Sequence, residues 1–161
     1  MQEELHKLLD EVLQGADEEE VISIRQLLDG VKRKQNRENE SLIGGIFAMD
    51  KSLEDGNFTV SIPITTVTHN SLNIVHGGVT ATLVDTAMGT LANMMLPEGY
   101  GAVTTNLNVH YLAPGTGEGM TASATIVHQG SKTMVVEGKV VSDRGKVVAH
   151  STGSFFIFKK N

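Results

Sequence analysis

The chain has 161 residues, enough for one domain with a sizeable core and a short appendage. Its formal net charge of -6 argues against a protein whose main business is coating nucleic acid or anionic membrane. With no cysteine, disulfides, thiolate metal sites and a cysteine nucleophile are excluded together, and the cytoplasm is the expected location.

The amino terminus shows no basic segment followed by an apolar one, and no charge-free apolar run reaches spanning length. Neither a targeting signal nor membrane insertion is expected. Residues 1–40 read as a helical extension rich in charge. Leu5, Leu8, Leu9, Val12 and Leu13 share one helical face, and Val21, Ile24, Leu27, Leu28 and Val31 continue the pattern after a break at Gly15. The polar stretch from Lys32 to Glu40 reads as a helix end or linker.

Residues 41–161 read as the main domain. Strands are expected over roughly 43–53 and 57–64, joined by a Glu-Asp-Gly-Asn turn at 54–57. A helix follows over 77–96, bounded by Pro97 and Gly99. Strands at 102–113, 119–128, 133–142 and 146–158 then make an antiparallel meander. Ala149, Ser151 and Gly153 leave one face of the last strand narrow enough for a helix. The fold class is therefore α+β, one long helix wrapped by an antiparallel sheet.

Between His76 and Glu98 the only ionisable side chain is Asp85, on a helix expected to be buried all round. A carboxylate so placed must be paired, hydrogen-bonded or protonated, which suits acid–base or nucleophilic chemistry; the bland alternative is a clamp between helix and strand. Gly77 and Gly78 open the same helix. Unobstructed backbone N–H groups there, at the positive end of the helix dipole, form a candidate site for a carbonyl oxygen, against the alternative of a plain turn. Eight residues separate Gly77 from Asp85, about 12 Å along a helix. They cannot serve one carbonyl from one helix. Two helices antiparallel about a two-fold axis would bring the Asp85 of one chain beside the Gly77 of the other, so this mechanism requires a dimer.

His76-Gly77-Gly78 followed by Thr80-Ala81-Thr82-Leu83-Val84-Asp85 resembles the signature of hotdog-fold acyl-CoA thioesterases of the PaaI-like branch. Asn70 lies six residues before the motif histidine, as in that family. Val103 to Pro114, Gly117-Glu118 and His128 to Lys132 resemble its later strand and loops. The resemblance covers about residues 43–158 and implies dimers and often tetramers of a hotdog fold. It implies hydrolysis of acyl- or aryl-CoA to free acid and CoA, with acyl-CoA as the substrate partner and no separate cofactor. By the same resemblance Asp85 attacks the thioester carbon or activates water, and the Gly77 N–H holds the carbonyl oxygen. Asn70 orients the carbonyl or water, and Thr104, from the partner side, bonds water or Asp85 where relatives carry a small hydroxyl residue. His76 orients the loop rather than acting as base. Gly78 and the turn at Gln129, Gly130, Ser131 and Lys132 contact substrate, with Lys132 near a CoA phosphate.

Two other readings compete. Hotdog dehydratases and hydratases pair a catalytic histidine with a carboxylate, whereas the His-Gly-Gly helix with Asp85 favours hydrolysis. A non-catalytic acyl-CoA sensor would retain the fold alone, and Asp85, Gly77 and Asn70 together argue against it. The sequence carries no Gly-x-Ser-x-Gly elbow and no His-Glu-x-x-His helix, and its six histidines are scattered, so no metal is expected.

Overall fold

The computed structural model describes residues 1–54 and 57–160. The chain divides into two compact units, one of Met1–Ala48 with Thr65–Val67, the other of Met49–Ile64 with Thr68 onward.

The first unit holds three helices, α1 (Gln2–Gly15), α2 (Glu18–Gln35) and α3 (Leu42–Ile46). A capping box starts α2: the Asp17 side chain accepts the Glu20 N–H at 2.9 Å, and Glu20 accepts the Asp17 N–H at 3.0 Å. Glu18 to Glu20 in its first turn and Lys32 to Lys34 in its last complement the helix dipole. The strand expected over roughly 43–53 begins only at Asp50; residues 42–46 form α3 instead. Ser41 caps it by accepting the Gly44 N–H at 3.1 Å. Gly45 and Ile46 then press so closely on Gly30 that a Cβ at Gly30 would lie 2.7 Å from the Ile46 Cα. Arg33 Nε and Gln26 Nε2 donate to the Gly45 and Ile46 carbonyls at 3.2 and 2.9 Å. Contacts distant in sequence thus override the β-branched look of the segment.

The second unit holds β1 (Asp50–Glu54), β2 (Asn57–Pro63), α4 (Gly77–Met94), β3 (Tyr100–Tyr111), β4 (Gly119–Gln129), β5 (Thr133–Ser142) and β6 (Val147–Lys159). The six strands make one antiparallel sheet in the order β1-β2-β4-β5-β6-β3. Glu54 pairs with Asn57 across the expected hairpin, whose Asp55 and Gly56 lie outside the described residues. The four strands after the helix are not one meander, because β3 pairs with β6 rather than β4. The flank of β4 nearest β2 is occupied by the Val60–Ala122 ladder, which leaves the outer edge of β6 as the place for β3.

Alternation puts Met134, Val136, Gly138 and Val140 of β5, and Ala149, Ser151, Gly153 and Phe155 of β6, on the face that receives α4. The glycines make the trough. A Cβ at Gly138 would meet Val84 Cγ2 at 2.5 Å, and one at Gly153 would meet Met88 Cε at 3.3 Å. Val79, Leu83, Val84, Ala87, Met88 and Ala92 of α4 are buried there. The helix is not buried all round, however. Gly78 is exposed and Thr82, Asp85 and Gly89 are half-buried, spaced by four, three and four residues along one open face. Among the described residues no helix is long and apolar enough to cross a membrane.

Candidate active site

His76 caps α4: its Nδ1 accepts the Gly78 N–H at 2.9 Å. The ring nitrogen left free for a proton is then Nε2. The His76 N–H donates to the Thr68 carbonyl at 2.8 Å, and the Val79 and Thr80 N–H groups both donate to the His76 carbonyl, at 2.9 and 3.2 Å. Of the amides that open the helix this leaves Gly77, for whose N–H there is no acceptor among the described residues. Gly78 differs from the sequence expectation in this respect, because its N–H is already taken by His76.

Gly77 lines a cavity of about 400 Å³ together with Asn70, Ile74, Val75, Tyr111 and Leu112. Asn70 uses its Oδ1 to accept the Leu72 and Ile74 N–H groups at 2.8 and 3.4 Å, shaping the loop that precedes the helix. What it can offer to a ligand is therefore its Nδ2 donor pair. Asn70 and Gly77 are thus brought together as two donor groups on one apolar-walled recess.

Asp85 lies two turns further on and is not part of this recess. Its Oδ1 accepts the Thr104 hydroxyl at 3.0 Å. That bond forms within one chain, so Thr104 does not have to come from a partner: β3 runs back along α4 and reaches its own helix. A bulge between Thr104 and Asn106 sets the register, while the Thr105 hydroxyl donates to the Ser154 carbonyl at 3.0 Å. The same strand grips α4 at both ends. Asn93 exchanges bonds with the Ala102 N–H and carbonyl at 2.9 and 3.1 Å, and the Tyr111 hydroxyl donates to the Gly77 carbonyl at 2.9 Å. Tyr111 was not singled out by the sequence; a tyrosine ending a strand carries no local sign of the helix it touches.

The turn at Gln129 to Lys132 sits at the opposite end of α4. Gln129 Nε2 reaches the Met95 carbonyl at 3.5 Å, and the turn closes with the Gly130 N–H on the Thr133 carbonyl at 2.8 Å. Ser131 and Lys132 are exposed. Met95 is about 27 Å along the helix from Gly77 at 1.5 Å per residue. The expected site residues therefore form three groups in one chain: Asn70 with Gly77 and His76, Asp85 with Thr104, and the 129–132 turn.

Residues 72–149 match the model of the thioesterase superfamily. The acyl-coenzyme A thioesterase PaaI of Escherichia coli is 32% identical over 99 residues, 61% of this chain and 69% of that protein. The chain belongs to the thioesterase superfamily. A putative esterase of Halobacterium salinarum is 40% identical over 93 residues, which span 53% of this chain and 61% of its own length. Among solved structures, the BH2602 protein from Bacillus halodurans, crystallised with CoA, superposes with a TM-score of 0.88 at 45% identity. That match covers 92% of this chain and 99% of the other. The fold is the hotdog fold of PaaI-like thioesterases, as the motif implied, and the enzyme class of the Escherichia coli relative is thioester hydrolase.

Proposed function

We propose that the protein is an acyl-CoA thioesterase whose active site is completed across a two-fold axis, Asn70 and Gly77 coming from one chain and Asp85 with Thr104 from the other. The observation that carries this reading is the unpaired Gly77 N–H, at the positive end of α4 and beside Asn70 on a shared cavity. Such a donor polarises a thioester carbonyl and stabilises the charge that grows on its oxygen during attack. Asp85 supplies the complementary group. As general base it takes a proton from water, whose oxygen adds to the thioester carbon; as nucleophile it adds its own oxygen and forms a mixed anhydride that water then hydrolyses. On either route the C–S bond breaks, the free acid is formed and CoA leaves as the thiol with a proton that comes from water. Thr104 keeps one carboxylate oxygen fixed and leaves the other for the reaction.

Three features support the shared arrangement. Gly77 and Asp85 are about 12 Å apart on one rigid helix, too far to meet at a single carbonyl. The open face of α4 carries Gly78, Thr82, Asp85 and Gly89, none of them large. And β3 ends the sheet with twelve residues whose outer edge has no strand partner among the described residues, an edge that a second copy can extend. Antiparallel pairing would also carry the partner's Gln129–Lys132 turn toward the Gly77 end, where Lys132 can meet a CoA phosphate. CoA as the leaving thiol accords with its presence in the Bacillus halodurans structure.

The test is release of free CoA, followed with a thiol reagent, from acetyl-, hexanoyl-, benzoyl- and palmitoyl-CoA. Turnover of at least one, abolished by Asp85→Asn, is expected. Tight binding of acyl-CoA with no release from any would describe a sensor and overturn the reading.

A further inference from the structure

Glycine is the residue with the widest backbone freedom, so the direction of a carbonyl-polarising amide built on Gly77 depends on the contacts that surround the helix start. Two of the restraints are local. The His76 N–H is fixed on the Thr68 carbonyl, and the Gly78 N–H on His76 Nδ1. The third comes from the far end of β3, where Tyr111 donates its hydroxyl to the Gly77 carbonyl at 2.9 Å and stands its ring against the glycine. A Cβ placed on Gly77 would lie 3.4 Å from both Tyr111 Cζ and its hydroxyl oxygen, so ring and glycine are in van der Waals contact. Tyr111 is itself 55% exposed, and its phenol faces the cavity that Gly77 and Asn70 line. A half-exposed tyrosine contributes little to a core. What it does contribute is a bond to the one residue at the helix start whose N–H is left unpaired.

We infer that Tyr111 is a positioning residue for the Gly77 amide, acting through its hydroxyl. The inference rests on the role given to Gly77 above. The peptide that carries this N–H has its His76 carbonyl held by the Val79 and Thr80 N–H groups, and the following peptide is held at its Gly77 carbonyl by the phenol and at its Gly78 N–H by His76 Nδ1. With both planes fixed about Gly77 the N–H keeps one direction before substrate arrives, which is the condition for stabilising charge without reorganisation. The strand that steadies Asp85 through Thr104 thereby also steadies Gly77 through Tyr111, seven residues later. Loss of the hydroxyl leaves the ring, and hence the cavity wall, in place.

The experiment compares the unaltered protein with Tyr111→Phe, using the best substrate of the panel above. The expected result is a fall in kcat of about tenfold with KM changed less than about twofold, since the contact sharpens in the transition state. A change in KM alone would assign the tyrosine to substrate binding and overturn the inference. A second readout isolates the carbonyl. With the same acyl-CoA carrying a 13C label at the thioester carbon, infrared difference spectra of the complex with Asp85→Asn should show the carbonyl stretch lowered relative to free substrate, and Asp85→Asn combined with Tyr111→Phe should lose most of that lowering. If Asp85→Asn alone shows no lowering, the reading of Gly77 fails. If the lowering persists undiminished in the double variant, Gly77 stands and the role of Tyr111 falls.

Discussion

Thr104 donates its hydroxyl to Asp85 Oδ1 at 3.0 Å, a bond between a strand and a helix of one chain across nineteen residues of sequence. The hydroxyl is a single donor, so it orients the carboxylate without neutralising it. Asp85→Asn keeps the size and the Thr104 contact but removes the charge. Turnover should fall by at least about 100-fold, the lower range of acid–base contributions, while acyl-CoA binding measured by calorimetry stays within a few-fold. Unchanged turnover would remove Asp85 from the chemistry.

Thr104→Val deletes the hydroxyl at constant shape, and Thr104→Ser keeps it. A loss of about tenfold in kcat is expected for valine, from one hydrogen bond to a charged group of about 1.5 kcal/mol, with serine close to the unaltered protein. Equal losses in both variants would indicate that the methyl packing of Thr104, and not its bond, is what counts.

His76 tests the cap. His76→Asn offers an oxygen to the Gly78 N–H, whereas His76→Ala offers nothing. Alanine should destabilise the protein by about 1 kcal/mol in urea unfolding, with asparagine recovering most of the difference. Catalysis should follow the cap, falling with alanine and largely kept with asparagine. Loss of activity in both at full stability would point instead to a direct part for the imidazole.

The seat of α4 predicts a stability effect remote from the site. Gly138→Ala would set a methyl 2.5 Å from Val84 Cγ2 and 3.0 Å from Met88 Sδ, both on a fully buried helix face. Overpacking of this kind destabilises by about 1–3 kcal/mol, which a thermal melt would register as a Tm lowered by several degrees. An unchanged Tm would mean that α4 is not seated as closely on β5 as the contact implies.

Much of this was legible locally. An apolar helix with a single carboxylate announced α4 and Asp85, and the small residues Ala149, Ser151 and Gly153 announced the strand on which it rests. What eluded the sequence depended on contacts far apart along the chain. Leu42 to Ile46 look like strand, yet the fit of Gly45 against Gly30 makes them helix. β3 looks like the first strand of a meander, yet β2 already occupies the side of β4 that it would need. The pairing of Gly78 with His76, which singles out Gly77 as the unpaired amide, is a matter of side-chain geometry that residue types do not record. Nor does sequence order show that Thr104 and Tyr111, on one strand, reach Asp85 and Gly77 on one helix.

The shared site is tested most directly by mixing two inactive proteins. Gly77→Pro removes the N–H at the first helical position, where proline is tolerated, and sets its Cβ in ordinary van der Waals contact with the Tyr111 ring at 3.4 Å; His76 already has the extended backbone (φ -61, ψ 134) that precedes proline. When Asp85→Asn and Gly77→Pro chains are unfolded together in equal amounts and refolded, half of the dimers are mixed and each holds one site with both groups intact. Activity should return to about one quarter of that of the unaltered protein. A mixture that forms heterodimers, verified by native mass spectrometry, yet shows only the residual activity of its parents would contradict a site divided between Gly77 of one chain and Asp85 of the other.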